Sequence, residues 1–399
     1  MKILVACELP AFALEELGRL GAEVAYEPQL SASQLPQRIG DVSILVVDQV
    51  AVAPEAIDRG KALQLIVCAG AGRAHVAVDE ASAQGIFVTS CPNRDAVAQA
   101  ELALGLMLAL DRDIADQAAL LREGRWERGR FLEAAGLAGR RLGVLGTGSF
   151  CRALAERALA LGMNILAWVP EGHVEALDGL PVELCNWPRE LARRSDVVVV
   201  HTPAGLGMEQ VANGDLLDCL GAGTLFVHLG DVTTFDEDGL VAAVQERGVR
   251  VALDVFRAEP TTDSGRLRSR VLALPGVIGT HHVAGVTAQA RAAVAREVVR
   301  IVSAFLISGE VQGCLNLCER SPATWQLVLR LRDQVGVMAA VLDAIRADGI
   351  NAQEISSRVF VGAKAAWCTI ALDERPSTEA LKAIQALGDV LHFELRAVV

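Results

Sequence analysis

Leu142-Gly143-Val144-Leu145-Gly146-Thr147-Gly148-Ser149-Phe150-Cys151 is the stretch on which the reading of the whole chain turns. The apolar run Leu142 to Leu145 reads as a buried strand. It breaks at Gly146-Thr147-Gly148 and passes into a helix expected over Ser149 to Leu161. Phe150, Leu154, Ala155, Ala158 and Leu161 fall on one face of that helix. A strand, a glycine turn and a helix in that order make a dinucleotide-binding signal. Gly146 permits the tight turn and Gly148 lets the backbone approach a pyrophosphate. The helix start at Ser149 offers unpaired N–H groups and a positive dipole end to that anion. Cys151 stands at the third glycine position and is small enough for the helix to pack on the sheet. The bland alternative is a glycine-rich turn of an α/β domain that binds nothing.

Working outward, further strands are expected at Asn164 to Trp168, Asp196 to His201, Leu225 to Leu229, Val249 to Val255 and Val277 to Thr280. A helix from Asp236 to Glu246 opens with acidic residues, which suit its N-terminus. Upstream, Ile3 to Ala6, Ile44 to Val47, Leu65 to Cys68 and Ile86 to Thr89 read as buried strands, with a helix at Ala11 to Leu20. That is a smaller doubly wound unit. The very apolar helix Ala96 to Leu110 reads as buried between the two units, and a helix from Thr287 to Ile307 returns the chain to the first. Crossings near 97 and 286 are hinges around a cleft, a usual place for a small ligand.

From Trp325 onward the pattern changes. Leu327 to Leu331, Ile350 to Val361, Ala365 to Asp373 and Val390 to Val398 read as strands. Val337 to Ala347 and Ser377 to Leu387 read as helices, the second capped by Ser377. The order βαββαβ is that of a ferredoxin-like module, with Glu319 to Pro322 as the linker.

The chain has 399 residues, enough for two or three domains, and is 52% hydrophobic with 36 glycines, which fits an α/β class. A net charge of −12 argues against nucleic acid or an anionic membrane as the main partner. No apolar run is long enough to span a membrane. MKILVAC runs straight into a strand without a signal-peptide pattern, so a cytoplasmic chain is expected. Nine scattered cysteines, with no C-x-x-C, read as reduced thiols rather than disulfides or a metal site.

Ligands of such sheets lie at the carboxyl ends of the strands. Asp254 and Glu259 follow one strand there, and His281-His282 follow another. A histidine can hand a proton to a carbonyl as hydride arrives, and a carboxylate beside it would hold the ring. The bland reading of His282 is a strand-end histidine bonded to backbone.

The first 315 residues or so resemble the D-2-hydroxyacid dehydrogenases, and most of all the D-3-phosphoglycerate dehydrogenases. The resemblance runs through Ala69-Gly70-Ala71-Gly72, Cys91-Pro92-Asn93 with Ala100-Glu101-Leu102, Trp126-Glu127-Arg128, Phe235-Asp236-Glu237-Asp238, Leu253-Asp254-Val255-Phe256 with Glu259-Pro260, and His282. The last 75 residues resemble an ACT regulatory domain. The resemblance implies three domains. A split flavodoxin-like substrate domain spans 1–96 and 286–318, an inserted Rossmann domain spans 97–285, and a ferredoxin-like ACT domain spans 323–399.

The resemblance also implies an NAD-dependent oxidoreductase of a small 2-hydroxy/2-oxo acid, assembled as a homodimer or homotetramer. His282 is the implied acid/base and Glu259 its partner. Gly146, Thr147, Gly148, Ser149, Phe150, Thr202, Pro203 and Asp254 are the implied cofactor contacts. Gly70, Ala71 and Gly72 are the implied loop whose backbone N–H groups hold the substrate carboxylate.

Several positions depart from the family pattern. Asp231 stands where the family has an arginine that clamps the substrate carboxylate, a bidentate task that aspartate cannot perform. Val169 stands where an acidic residue meets the ribose hydroxyls, with Glu171 two residues on, and no arginine follows to favour NADP. Ser149 replaces a basic residue of the glycine turn. Val47, Asp48 and Cys68 occupy the places of phosphate contacts. Two explanations stand: a rebuilt site in which Arg73, Arg94 or Arg257 supplies the cation, or a non-catalytic, regulatory paralogue that keeps the fold. In the ACT-like part, the effector turn corresponds to Leu331-Arg332-Asp333-Gln334-Val335-Gly336. Gly336 and Asn351 match a serine-sensing pattern, whereas Leu331, Asp333 and Val335 depart from it. An amino-acid effector and a purely oligomerising role are both open there.

Overall fold

The computed structural model describes residues 1–70, 75–146, 148–170, 174–202, 211–260, 264–318 and 321–398. The chain divides into two compact units, Met1–Asn316 and Leu317–Val399. The first unit holds two parallel sheets. One consists of β1 (Lys2–Ala6), β2 (Glu23–Tyr26), β3 (Ile44–Val47), β4 (Leu65–Cys68) and β5 (Phe87–Ser90), in the order β2-β1-β3-β4-β5. Strands β3 and β4 are buried at every position. They are continuous apolar runs because both faces of the sheet are covered. Leu4, Leu45 and Ile66 pack on one side. Ile3, Val46 and Val67 pack on the other, against Val298, Ile301 and Val302 of the helix Ala288–Ser308. The return of the chain to its first sheet is therefore as the sequence predicts. Thr287 caps this helix, its side chain accepting from the Ala290 N–H at 3.0 Å.

The second sheet is the larger. It contains β6 (Arg141–Gly146), β7 (Asn164–Trp168), β8 (Val182–Leu184), β9 (Val197–His201), β10 (Leu225–His228), β11 (Arg250–Leu253) and β12 (Val277–Gly279). All pair in parallel, in the order β12-β11-β10-β9-β6-β7-β8. The chain order reverses between β6 and β9, so the topological switch point lies beside the glycine turn, where open α/β sheets bind ligands.

Three expectations needed correction. Strands β2 and β8 were not anticipated: both are short edge strands, only partly buried, and they lack a continuous apolar run. The expected strand Val249 to Val255 is shorter, because Asp254 leaves the ladder to bond a neighbouring loop. The helix Ala96–Asp111 is not buried all round. Ala100, Ala103, Leu106, Met107 and Leu110 join Phe150 and Leu154 in the core of the second sheet, whereas Val97 and Leu108 are 46% and 39% exposed. A helix apolar on every face carries no sequence signal for which face is covered.

The second unit is an antiparallel sheet of β13 (Trp325–Arg332), β14 (Ala352–Val359), β15 (Ala365–Leu372) and β16 (Val390–Ala397), in the order β14-β15-β13-β16. The helices Val337–Ala347 and Thr378–Ala386 complete the βαββαβ order. Leu327, Leu329, Cys368 and Ile370 bury one sheet face with Val341, Ile345 and Ile384. Ser377 caps the second helix, accepting from the Ala380 N–H at 3.1 Å.

Candidate active site

Gly146 is held to glycine by a neighbouring strand. Gly146 does not adopt a positive φ. A Cβ placed on it would lie 2.5 Å from the carbonyl oxygen of His201 on β9. Glycine is required there by the close approach of two strands. The helix begins at Gly148, one residue earlier than expected, and runs to Ala160. Thr147 and Pro203 lie outside the described residues, as do Ala71 and Gly72.

The Phe150 side chain belongs to the core. It is 1% exposed and stacks on the His201 ring at 4.5 Å between centroids. Only its backbone is left for a ligand. Ser149, between two buried residues of the first helical turn, is itself half-buried. Thr202 is fully buried, and its Oγ1 has no hydrogen-bond partner among the described residues. An orphaned hydroxyl beside a helix N-terminus that opens on a buried glycine fits the phosphate and ribose end of a dinucleotide.

At the far strand ends the chemistry converges. His282 Nδ1 lies 2.9 Å from Glu259 Oε2, and the other carboxylate oxygen, Oε1, accepts the Phe256 N–H at 2.7 Å. Glu259 is therefore fixed at one oxygen and holds the imidazole with the other. The His282 side chain is 64% exposed, free to meet a ligand with its other nitrogen. Its backbone φ is +52°, in the left-handed region that costs a non-glycine residue energy.

Asp254 explains how that backbone is held. The residue is fully buried. Its Oδ1 accepts Thr280 Oγ1 at 2.5 Å and the Val283 N–H at 3.0 Å, and its Oδ2 accepts the Ala284 N–H at 2.9 Å. Its backbone oxygen accepts the His282 N–H at 2.9 Å. The residue expected to face the cofactor thus clamps the segment on either side of His282.

Asp231 is turned onto its own loop. Its Oδ1 accepts the Thr233 N–H at 2.8 Å and the Thr233 hydroxyl at 2.5 Å. Thr234 Oγ1 donates to the Asp231 carbonyl at 2.6 Å and sits 2.9 Å from His228 Nε2. The hydroxyl proton is already used, so His228 donates from Nε2. His228 Nδ1 and His201 Nδ1 are both buried without a partner among the described residues. Burial pushes the His201 imidazole down to about 4 and, with His201 nearby, the His228 imidazole to about 3. Sequence reasoning passed over this histidine pair, because two histidines at strand ends carry no signal of their burial.

Two of the three arginines considered as replacement clamps are committed elsewhere. Arg94 pairs with Glu297 at 2.9 Å, and Arg257 donates to the Phe235 carbonyl at 3.0 Å. Arg73 lies outside the described residues. The Gly70 N–H donates to the Cys68 carbonyl, and the Gly70 carbonyl accepts the Cys91 N–H, each at 2.8 Å. Val47 and Cys68 are buried strand residues, and burial pushes the Cys68 thiol up to about 12. Of the three phosphate-contact positions, only Asp48 is exposed. The two crossing segments touch: a Cβ on Gly285 would lie 2.8 Å from Asp95 Oδ2.

Residues 104–284 match the family model of the D-isomer specific 2-hydroxyacid dehydrogenase NAD binding domain. A hydroxypyruvate reductase of Thermotoga maritima is 35% identical over 272 residues, which cover 68% of this chain and 87% of that protein. A D-3-phosphoglycerate dehydrogenase of Methanocaldococcus jannaschii is 32% identical over 329 residues, covering 79% of this chain and 60% of that enzyme. Among solved structures, an NADPH-dependent glyoxylate/hydroxypyruvate reductase of Sinorhizobium meliloti, in complex with citrate, is 28% identical with a TM-score of 0.66. The match covers 79% of this chain and 97% of that one. A parallel sheet with glycines at its switch point has the form of a dinucleotide-binding fold. The chain belongs to the D-isomer-specific 2-hydroxyacid dehydrogenase family.

No helix among the described residues is long and apolar enough to cross a membrane. All nine cysteines are free thiols.

Proposed function

We propose that this protein is an NAD-dependent oxidoreductase of a small 2-hydroxy/2-oxo acid, of the phosphoglycerate dehydrogenase type. The observation that carries the reading is the His282–Glu259 pair, 2.9 Å apart, on a segment clamped by Asp254. Such a clamp holds one backbone geometry at energetic cost, which suits a residue that must meet a substrate atom. In this reading residues 1–96 with 286–318 form the substrate domain, 97–285 the cofactor domain and 323–399 an ACT-like regulatory domain.

NAD, when bound, would supply the chemistry of hydride transfer at C2 of the acid. Gly148, Ser149 and the backbone of Phe150 would hold its pyrophosphate through N–H groups, and Thr202 would offer its hydroxyl. His282 gives a proton to the substrate oxygen during reduction and takes it back during oxidation. Glu259 orients the ring throughout. Absence of an arginine after Val169 favours NAD over NADP; Glu171, the ribose contact considered from the sequence, lies outside the described residues. The family likeness supports a homodimer or homotetramer and an amino-acid effector at the ACT-like turn around Gly336. The retained His282–Glu259 pair weighs against a non-catalytic paralogue.

The test is a titration with NADH and NADPH by reduced-nicotinamide fluorescence, followed by turnover with hydroxypyruvate, glyoxylate and phosphorylated three-carbon oxo acids. Tighter NADH binding and turnover of at least one acid support the reading. No binding of either nucleotide refutes it.

A further inference from the structure

Four residues form a single row across the C-terminal sheet. The strand registers set Arg358 opposite Trp367, Trp367 opposite Arg330, and Arg330 opposite His392. Residues opposite one another on neighbouring strands share a face, and successive residues of a strand alternate between faces. Leu329, Leu331, Ala366 and Cys368, the chain neighbours of Arg330 and Trp367, are buried with the helices. The row therefore lies on the face turned away from the helices. Arg330, Arg358 and His392 are exposed, and Trp367 is 38% exposed.

The two arginines of the row have free guanidinium groups. Neither Arg330 nor Arg358 makes an ion pair or a side-chain hydrogen bond among the described residues. On the same sheet Arg332 pairs with Asp389 and Arg396 with Glu394, at 3.6 and 2.7 Å. The chain carries 49 acidic residues against 37 lysines and arginines, so carboxylates are not scarce. The acidic residues Glu354 and Glu394 belong to other rows of the register, Glu394 is occupied by Arg396, and Asp389 is occupied by Arg332.

We propose that this row is a mononucleotide site, with the base against Trp367 and the phosphate beside it, held by the guanidinium groups of Arg330 and Arg358. An aromatic ring offers a base a stacking surface without needing a particular sequence. Guanidinium groups match phosphate with paired N–H donors. Adjacent strands lie about 4.8 Å apart, so both arginines flank a base seated on the tryptophan within reach of its 5′ phosphate. The net charge of −12 repels a long polyanion and admits a single nucleotide. A second copy laid face to face along this row would set cations against cations. The inference uses the C-terminal unit alone and does not depend on the reaction of the first unit.

The experiment uses the full chain with saturating NADH present, so that the dinucleotide fold is occupied. AMP, adenosine and inorganic phosphate are titrated by calorimetry. AMP saturates, and adenosine and phosphate each bind at least about tenfold more weakly. The double variant Arg330→Gln/Arg358→Gln and the variant Trp367→Leu each weaken AMP by about tenfold or more, while the NADH titration and melting temperature stay unchanged. Absence of saturable AMP binding overturns the proposal. So does AMP binding that survives both variants, or a change of oligomeric state in the double variant, which reassigns the row to a contact between copies.

Discussion

Asp254 carries His282. One carboxylate takes N–H groups from Val283 and Ala284 and a hydroxyl from Thr280, while its own backbone oxygen accepts the His282 N–H. The histidine that meets Glu259 is thus shaped by a residue with no exposed surface of its own. Asp254→Asn keeps one acceptor oxygen and strands at least one buried donor. It should destabilise the protein by about 1–3 kcal/mol and lower kcat with it. Thermal unfolding and steady-state kinetics on one preparation check this. A loss of activity with an unchanged melting temperature would instead place the carboxylate on the cofactor.

His282 separates stability from turnover. Its φ of +52° is a conformation in which glycine is unstrained. His282→Gly should leave stability unchanged, or raise it by up to about 1 kcal/mol. The same change should cut kcat by about 100-fold or more, the usual worth of a general acid/base. NADH affinity should be spared. Urea unfolding set beside the kinetics reads both effects.

Asp231 caps its own turn, so its charge and its hydrogen bonds can be tested apart. Asp231→Asn retains the cap to Thr233 and removes a negative charge near the proposed substrate position. It should lower KM for a 2-oxo acid with little effect on stability. Asp231→Ala removes the cap and should cost about 1 kcal/mol. A KM unchanged in the asparagine variant would show that the carboxylate does not face the substrate.

Acid should unfold this protein partly through His201 and His228. Both are held below the ordinary value of 6.5, at about 4 and about 3, chiefly by burial. The unfolded chain therefore binds more protons than the folded one between these values. Stability from this source is complete above pH 6.5 and is lost as pH falls toward 4 and then 3. Each histidine contributes at most about 1.4 kcal/mol per pH unit across its window. His201→Phe removes one such proton and one unpartnered buried nitrogen. Its stability advantage over the parent should widen from pH 7 to pH 4.5 in parallel denaturant titrations. A constant difference would mean that His201 does not titrate on unfolding.

Much of the architecture was legible in the chain. Val144-Leu145-Gly146 and Ile44 to Val47 announce buried parallel strands because a strand covered on both faces must be apolar throughout. Thr287 and Ser377 mark helix starts because a short side-chain oxygen is the partner that a free N–H needs there. The edge strands at Glu23–Tyr26 and Val182–Leu184 were not legible, because a half-exposed strand needs no continuous apolar run. Nor did the sequence distinguish the exposed Val97 and Leu108 from the buried Met107 on an all-apolar helix.

The candidate site divides in the same way. His282, Glu259 and Asp254 could be picked out by residue type and by position at strand ends. Their division of labour could not, because it rests on distances between segments about thirty residues apart. Residue order and hydrophobic period determine the strands, the glycine turn and the order of the modules, since those are local consequences of backbone geometry and burial. The tertiary structure alone decides that Asp254 clamps the segment around His282, that Arg94 is taken by Glu297, and that Arg330 and Arg358 flank Trp367 unpaired. A hydrogen bond acts over about 3 Å of space, whatever the separation along the chain.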